Sequence, residues 1–251
     1  MNCKFCNEQI PEDSSFCPVC GKELNAEETA PETVDETVAE AAVTEETVAE
    51  EAAVEEDVEK YSDEFHGELV KLVRQRRSYR HYMDRPVEDE VLKEALELAC
   101  WAPSAKNEHP TKWIVVRSRE VLDDMMNKIL AWVQETGNSL EILESYKEGM
   151  NVVMGTAPVI LLAYCSDNAV NPKQDTAIAM ETLELLLQSQ GLGTCWAGYL
   201  TRFANTIPAL QEMFPLPDNN SFYGALLVGW PKEDYLYIPQ RLKRADIQFV
   251  K

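Results

Sequence analysis

The stretch GLGTCWAGY, Gly191–Tyr199, decides the fold class, because it follows a predicted helix and does not contain a dinucleotide-binding glycine pattern. Before it stands TAIAMETLELLLQSQ, Thr176–Gln190, a run that is apolar nearly all round and therefore predicts a helix buried on most sides and ended by Gly191. The stretch follows this helix instead of opening one, and it has no GxGxxG pattern, so a Rossmann dinucleotide unit is not predicted. Glycines in this place favour close approach of the backbone to a flat ligand.

Helices and strands are interspersed on both sides of that stretch. Apolar residues at i, i+4, i+7 and i+8 predict an amphipathic helix that starts at Phe65 and ends near Gln75. The charged, helix-prone stretch 120–150 is interpreted as a lid. A second helix is predicted over Val91–Ala99, and buried strands at Trp113–Arg117, Pro158–Tyr164 and Tyr223–Val228. Because these elements do not follow a regular βαβ spacing, the α+β class fits better than a doubly wound sheet.

Two basic clusters and one polar loop are candidates for ligand binding. The first cluster is RQRRSYRHY, residues 74–82, just past a helix end, and the second holds Arg241, Lys243 and Arg244. Arginine forks match phosphate oxygens, so both clusters suit an anion, although a solvated basic turn is the alternative. The loop WAPSAKNEHPTKW, residues 101–113, offers polar side chains between a helix and a strand.

In this order and at these spacings, the four stretches resemble the nitroreductase family of FMN enzymes from about Phe65 to the C-terminus. The resemblance implies a central, mostly antiparallel sheet flanked by helices, and an obligate homodimer with two interfacial flavins. It implies FMN as cofactor and NAD(P)H as co-substrate. The PSxxN loop is expected to reach the flavin from the partner subunit. The cofactor-binding residues that it implies are Arg76, Arg77, Ser78, Arg80, Pro103, Ser104, Ala105, Asn107, Ala197, Gly198 and Arg241.

The implied activity is hydride transfer from NAD(P)H through flavin N5 to a nitroaromatic, quinone or similar small acceptor. No protein acid or base is then essential, and no catalytic residue is predicted. Two departures bear on the substrate: His109-Pro110-Thr111 stands where the family often has Gln-Pro-Trp, and Ala197 where some members have an acid. The alternatives are a reductive dehalogenase or flavin-dependent dehydrogenase on the same fold, or a non-catalytic interaction protein.

The first segment, residues 1–24, predicts a small zinc ribbon. Two CxxC knuckles supply four thiolates, the usual donor set of a structural zinc site: Cys3, Cys6, Cys17 and Cys20. Four incidental cysteines or a rubredoxin-type iron site are the alternatives, because ligand spacing alone does not separate the metals. With no ligand position left open, the predicted role is structural, or adhesive toward a protein partner.

The second segment, residues 25–63, predicts a disordered acidic linker to a flavin domain at 64–251. The formal charge of the chain is −21, and 14 acidic and no basic residues fall between Asn25 and Glu59. Such a stretch buries too little apolar area to fold, and an acidic recognition tail is the alternative. The acidic balance argues against nucleic-acid or anionic-membrane partners.

The compartment is expected to be the cytoplasm. The chain opens MNCKFC without the apolar region of a secretory signal, and no apolar run approaches the ~20 residues that span a bilayer. In a reducing cytosol the seven cysteines are not expected to pair as disulfides. Cys100, Cys165 and Cys195 are predicted to be buried, and Trp101 to belong to the core.

Overall fold

A computed structural model describes residues 62–238 and 245–250 of the chain. The predicted zinc ribbon, almost all of the predicted linker and Arg241 lie outside these residues. The described part is an α+β fold, as predicted. Its helices are α1 (Asp63–Gln75), α2 (Asp89–Leu98), α3 (Arg119–Thr136), α4 (Leu140–Lys147), α5 (Pro172–Ser189), α6 (Gly198–Thr206) and α7 (Pro208–Met213), and its strands are β1 (Lys112–Val116), β2 (Val159–Ser166), β3 (Gly193–Trp196) and β4 (Asn220–Gly229).

The four strands form one antiparallel sheet in the order β1-β2-β4-β3. Side chains alternate between its two faces, so Ile160 and Leu162 of β2 belong to one apolar cluster and Leu161 to the other. Helices α3, α4, α6 and α7 cover the first face, and α2 and α5 cover the second. Because both faces are buried, the central strands read as continuous apolar runs, which is why β2 and β4 could be predicted.

Helix α3 belongs to the core, so the interpretation of 120–150 as a lid was wrong. It starts after Ser118, whose hydroxyl accepts a hydrogen bond from Val121 N, and ends at Gly137 in the left-handed conformation. Met125 and Ile129 are among five α3 residues that are fully buried. The charged residues that suggested a lid occupy its solvent face.

Helices α1 and α5 differ sharply in what they bury. Helix α5 begins with Pro172 in its first turn and buries seven residues, among them Leu183 and the carboxyl-bearing Asp175 and Glu184. Helix α1, capped by the Ser62 hydroxyl, buries none of its residues. The apolar side chains of Leu69 and Val73 on α1 remain exposed in the described chain.

Other expectations need correction. The stretch 191–199, for which no strand was predicted, contains β3, which pairs with β4. Trp101, expected in the core, is 85% exposed, and the thiol of Cys100 is also exposed. Cys165 and Cys195 are buried as predicted, and burial raises the pKa of both thiols. No helix in the described ranges is long and apolar enough to cross a membrane.

Candidate functional site

The arginine stretch after α1 lies against the edge strand β3. Tyr79 N–H donates to the Thr194 carbonyl at 2.8 Å, and Ser78 pairs with Thr194 in a parallel bridge. Close packing at this seam requires a glycine, since a Cβ on Gly193 would lie 2.8 Å from the Tyr79 ring. Two stretches that are more than a hundred residues apart in sequence therefore meet at one edge of the sheet.

Arg77 is the buried arginine of this stretch. Its Nη1 donates to the carbonyls of Arg74 and Arg76 at 2.8 and 2.7 Å, and its guanidinium lies over the Tyr235 ring. Its backbone exchanges two hydrogen bonds with the Gln188 side chain. Its Nε is a buried donor without a partner among the described residues. A buried donor left unpaired is costly, so this atom marks a place where a bound acceptor would be stabilised.

The side chains of Arg76 and Arg80 are more exposed to solvent than that of Arg77. Arg76 Nη1 lies 3.3 Å from Glu184 Oε1, and a quarter of the Arg76 side chain is exposed. Arg80 is exposed and donates to the Ser78 carbonyl at a long 3.4 Å. It borders a cavity of about 160 Å³ whose lining also includes Tyr79, Glu233, Asp234 and Tyr235. Arg76 and Arg80 thus retain donors for an anion.

Glu184 is the site residue that the sequence did not reveal. It is 1% exposed, and its carboxylate accepts hydrogen bonds from Trp196 Nε1 at 2.8 Å and Thr194 Oγ1 at 2.9 Å. One turn earlier, burial raises the pKa of Glu181, and the nearby charge of Glu184 raises it further. A signal did exist: Glu184 lies four residues after Met180 and three before Leu187, so it falls on the apolar stripe that the helix buries.

The turn from β3 to α6 forms an open surface beside these arginines. Trp196 is 41% exposed although its indole nitrogen is fixed by Glu184. Ala197 N–H donates to the Ala225 carbonyl at 2.9 Å, so it is already used inside the fold. Gly198 opens α6, where backbone N–H groups lack helical partners, and a Cβ there would meet nothing within 4 Å. Of the two residues expected to bind the cofactor here, Ala197 and Gly198, only Gly198 therefore has an accessible backbone N–H.

The predicted loop at Pro103–Asn107 lies at the other end of α5. Ala105 N–H donates to the buried carboxylate of Asp175 at 3.1 Å. Asp175 and Glu184 are nine residues apart, about 13 Å along the helix. Lys106, Asn107 and His109 all have positive φ angles, which is rare for residues with a Cβ and typical of functional loops. Pro103 and Ser104 line a narrow cavity with Asp175. One chain does not bring this loop to the arginines.

The segment after β4 returns to the arginines. The Tyr235 hydroxyl donates to the Ser78 carbonyl at 3.1 Å, and the Tyr237 carbonyl accepts from Arg77 Nη2 at 3.5 Å. Arg241 lies four residues beyond Tyr237, outside the described ranges. The chain that leads to Arg241 is therefore held against the first basic cluster.

These features together fit a ligand with an anionic group and a planar ring. The arginines and the unpaired Arg77 Nε suit the anion. The side-chain-free surface at Gly198 and the exposed Trp196 suit the ring. FMN has both parts. Within the described residues, no group of three or more His, Cys, Asp or Glu side chains could hold a metal ion.

Comparisons with known proteins agree with this geometry. A protein of Archaeoglobus fulgidus, provisionally named an NADH dehydrogenase/NAD(P)H nitroreductase, is 30% identical over 173 residues, 66% of this chain and 87% of that protein. A provisionally named nitroreductase of Desulfovibrio desulfuricans, solved in complex with FMN, is 27% identical with a TM-score of 0.52, over 69% of this chain and 92% of that one.

The nitroreductase of Bacteroides fragilis with bound FMN shares the fold, with a TM-score of 0.63 at 21% identity over 73% of this chain and 99% of that one. The sequence model that is described as the nitroreductase family matches residues 73–230, more than half of the chain. That match contains the arginine stretch, the Pro103–Asn107 loop and the turn at Gly198. The chain belongs to the nitroreductase family of FMN-dependent oxidoreductases.

Proposed function

We propose that this protein binds FMN at the seam between the arginine stretch and β3, and uses NAD(P)H to reduce a nitroaromatic, a quinone or a similar small acceptor. The observation that carries the proposal is the pairing of the stretch that holds Arg76, Arg77 and Arg80 with β3, the strand that leads into the open turn at Gly198. Bound FMN would supply the hydride-accepting atom, N5. The name of the relative from Archaeoglobus fulgidus supports NAD(P)H as the electron donor.

The protein's own groups bind and orient. Arg76 and Arg80 hold the phosphate by charge-assisted hydrogen bonds, with Ser78 and the Arg77 Nε as further donors. The N–H of Gly198, at the positive end of α6, would donate to the flavin ring and stabilise negative charge on it. No side-chain acid or base is needed for these roles. We assign Arg241 to the phosphate as well, because the chain before it is held beside Arg77.

We further propose a homodimer whose two copies complete each other's site. The loop Pro103–Asn107 contacts Asp175, which lies about 13 Å along α5 from Glu184, the residue that contacts Arg76. Because one chain keeps the loop and the arginines apart in this way, we assign the loop to the cofactor held by the partner subunit. Exposed apolar side chains supply an interface: Leu69 and Val73 on α1, and Trp101 beside the loop. A groove of about 410 Å³ between α1 and the end of α5 is lined in part by Leu69.

Reduction by a nicotinamide tests the proposed activity. The purified protein should be yellow, should bleach on anaerobic addition of NADH or NADPH, and should regain its colour with a nitroaromatic or a quinone. Bleaching without reoxidation by either acceptor would favour a reductive dehalogenase or a flavin-dependent dehydrogenase on the same fold. A protein that binds FMN but is not reduced by either nicotinamide would contradict the proposal.

For the first segment we propose an accessory zinc ribbon held by Cys3, Cys6, Cys17 and Cys20, joined through the acidic linker to a cytoplasmic enzyme. Folding of so small a segment would depend on the metal. One zinc per chain is expected by elemental analysis, and a chelator should remove it while NAD(P)H oxidation continues. Activity that disappears and returns with zinc would contradict an accessory role, and bound iron would contradict the choice of metal.

A further inference from the structure

Glu184 stands out among the buried charged groups because four donors surround its carboxylate, which also lies near the Glu181 carboxyl. Oε2 accepts from Trp196 Nε1 at 2.8 Å. Oε1 accepts from Thr194 Oγ1 at 2.9 Å, and from Arg76 Nη1 and Gln188 Nε2, both at 3.3 Å. A carboxylate without water is stabilised in a protein interior only when its oxygens are satisfied in this way. Four donors from three elements therefore converge on one residue of α5.

Two of those donors belong to residues on the open surface of the site. Arg76 extends from the end of α1, and a quarter of its side chain is exposed. Trp196 exposes 41% of its surface next to Gly198, yet its Nε1 is anchored inside. A long arginine chain loses rotamer freedom when it binds a ligand, and an anchor that orders it beforehand lowers that cost.

We propose that Glu184 is a positioning residue of the cofactor site, which holds the Arg76 guanidinium toward the phosphate and the Trp196 indole beside the flavin ring. The inference rests on the proposed FMN site. The same carboxylate reaches Arg77 indirectly, because Gln188 bonds both Glu184 and the Arg77 backbone. Glu184 thus connects the Arg76 guanidinium and, through Gln188, the Arg77 backbone with Trp196 at the end of β3.

An amide does not replace this carboxylate. In Glu184→Gln the NH₂ group must face either Trp196 Nε1–H or the donors on the other side, so at least one contact becomes donor against donor. The variant removes the charge and keeps the shape. Its effect should therefore pass through Arg76 and Trp196, and a double-mutant cycle isolates such coupling.

The test is the FMN dissociation constant of apo-protein, measured by flavin fluorescence for the wild type, Glu184→Gln, Arg76→Ala and the double variant. Glu184→Gln should weaken FMN binding about tenfold or more. In the Arg76→Ala background the same change should weaken it by a smaller factor, because only the part that passes through Trp196 remains. Equal factors in both backgrounds, or no loss in the wild-type background, would overturn the inference. Glu94→Gln removes the same charge from an exposed position of α2 and should change nothing.

If Glu184→Gln does not fold, Trp196→Phe tests the same contact. It removes the indole N–H that donates to Glu184, and it does so at a residue that is partly exposed. It should weaken FMN binding about two- to tenfold. It should also alter the visible circular dichroism of the bound flavin at saturation, which a loss of stability alone would not change. An unchanged spectrum with unchanged affinity would overturn the assignment. If the wild type does not bind FMN, the proposed function itself fails, whereas wild-type binding without coupling refutes only the role of Glu184.

Discussion

Helices α1 and α5 meet at the same site, yet they are stabilised in different ways. Helix α5 buries an apolar face and two carboxyl-bearing residues, Asp175 and Glu184, each with hydrogen-bond donors of its own. Helix α1 is strongly amphipathic, and none of its residues is buried in the described chain. Apolar side chains that the described chain leaves exposed on such a helix, here Leu69 and Val73, are typical of an interaction surface. The difference shows that one chain stabilises α5 by itself, whereas we assign the exposed side of α1 to contact with a second copy.

Truncation of a core leucine should give the largest difference between the two helices. Leu183 of α5 is fully buried, and Leu183→Ala should lower the free energy of unfolding by about 2–5 kcal/mol through lost contacts and a cavity. Leu69 of α1 is 43% exposed, so Leu69→Ala should cost well under half as much at low protein concentration. Urea unfolding of both variants measures this. Similar losses would show that α1 is part of the core of a single chain.

A charge on the stripe should separate the copies without unfolding either one. Leu69→Glu places a carboxylate in the proposed interface, where burial without a partner is costly, so we expect monomers that bind FMN weakly. Gly67→Glu is the matched control, because it adds the same charge to α1 where a Cβ meets nothing within 4 Å. Light scattering gives the mass of each. A dimeric Leu69→Glu variant would exclude α1 from the interface.

Removal of a cation beyond α1 should affect the cofactor and spare the fold. The Arg80 side chain is exposed and, among the residues that the structure describes, donates one long hydrogen bond, to the Ser78 carbonyl. Arg80→Ala should weaken FMN binding by about 1.5–3 kcal/mol, roughly ten- to a hundredfold, while thermal stability stays unchanged. Arg119→Ala, which removes a charge from an exposed position of α3, serves as the control. Full flavin retention by Arg80→Ala through dialysis would refute the phosphate assignment.

The helix caps should give the smallest effect. The Ser62 hydroxyl accepts a hydrogen bond from Phe65 N at 3.2 Å, whereas Asn171, before α5, makes no side-chain capping bond. Ser62→Ala should therefore destabilise α1 by about 1 kcal/mol, and Asn171→Ala by a few tenths. Hydrogen exchange of the first turn of each helix measures the difference. Equal protection losses would show that the Ser62 bond contributes nothing.

Much of the fold was predictable because periodicity reports burial. The apolar runs of β2 and α5 predicted a central strand and a buried helix, and both were confirmed. Strand β3 was missed because its four residues include a glycine and lie directly after a helix. Helix α3 was taken for a lid because its charged solvent face outweighed its buried stripe in the sequence.

The site was predictable residue by residue but not in its arrangement. The arginine stretch and the stretch at Gly198 were both singled out in the sequence, and the structure pairs the first with β3 of the second. Glu184 was overlooked because an acid is ordinarily a surface residue, and its donors come from parts of the chain that meet in space alone. The separation of the Pro103–Asn107 loop from the arginines depends on the length of α5, which no local pattern shows.

Mass and flavin content, measured together, test the central claim most directly. Size-exclusion chromatography with light scattering and absorbance at the flavin maximum should show one species of twice the chain mass, carrying one FMN per chain. A yellow monomer would contradict the claim that two copies complete the site. A colourless protein that does not take up added FMN would contradict the cofactor site itself.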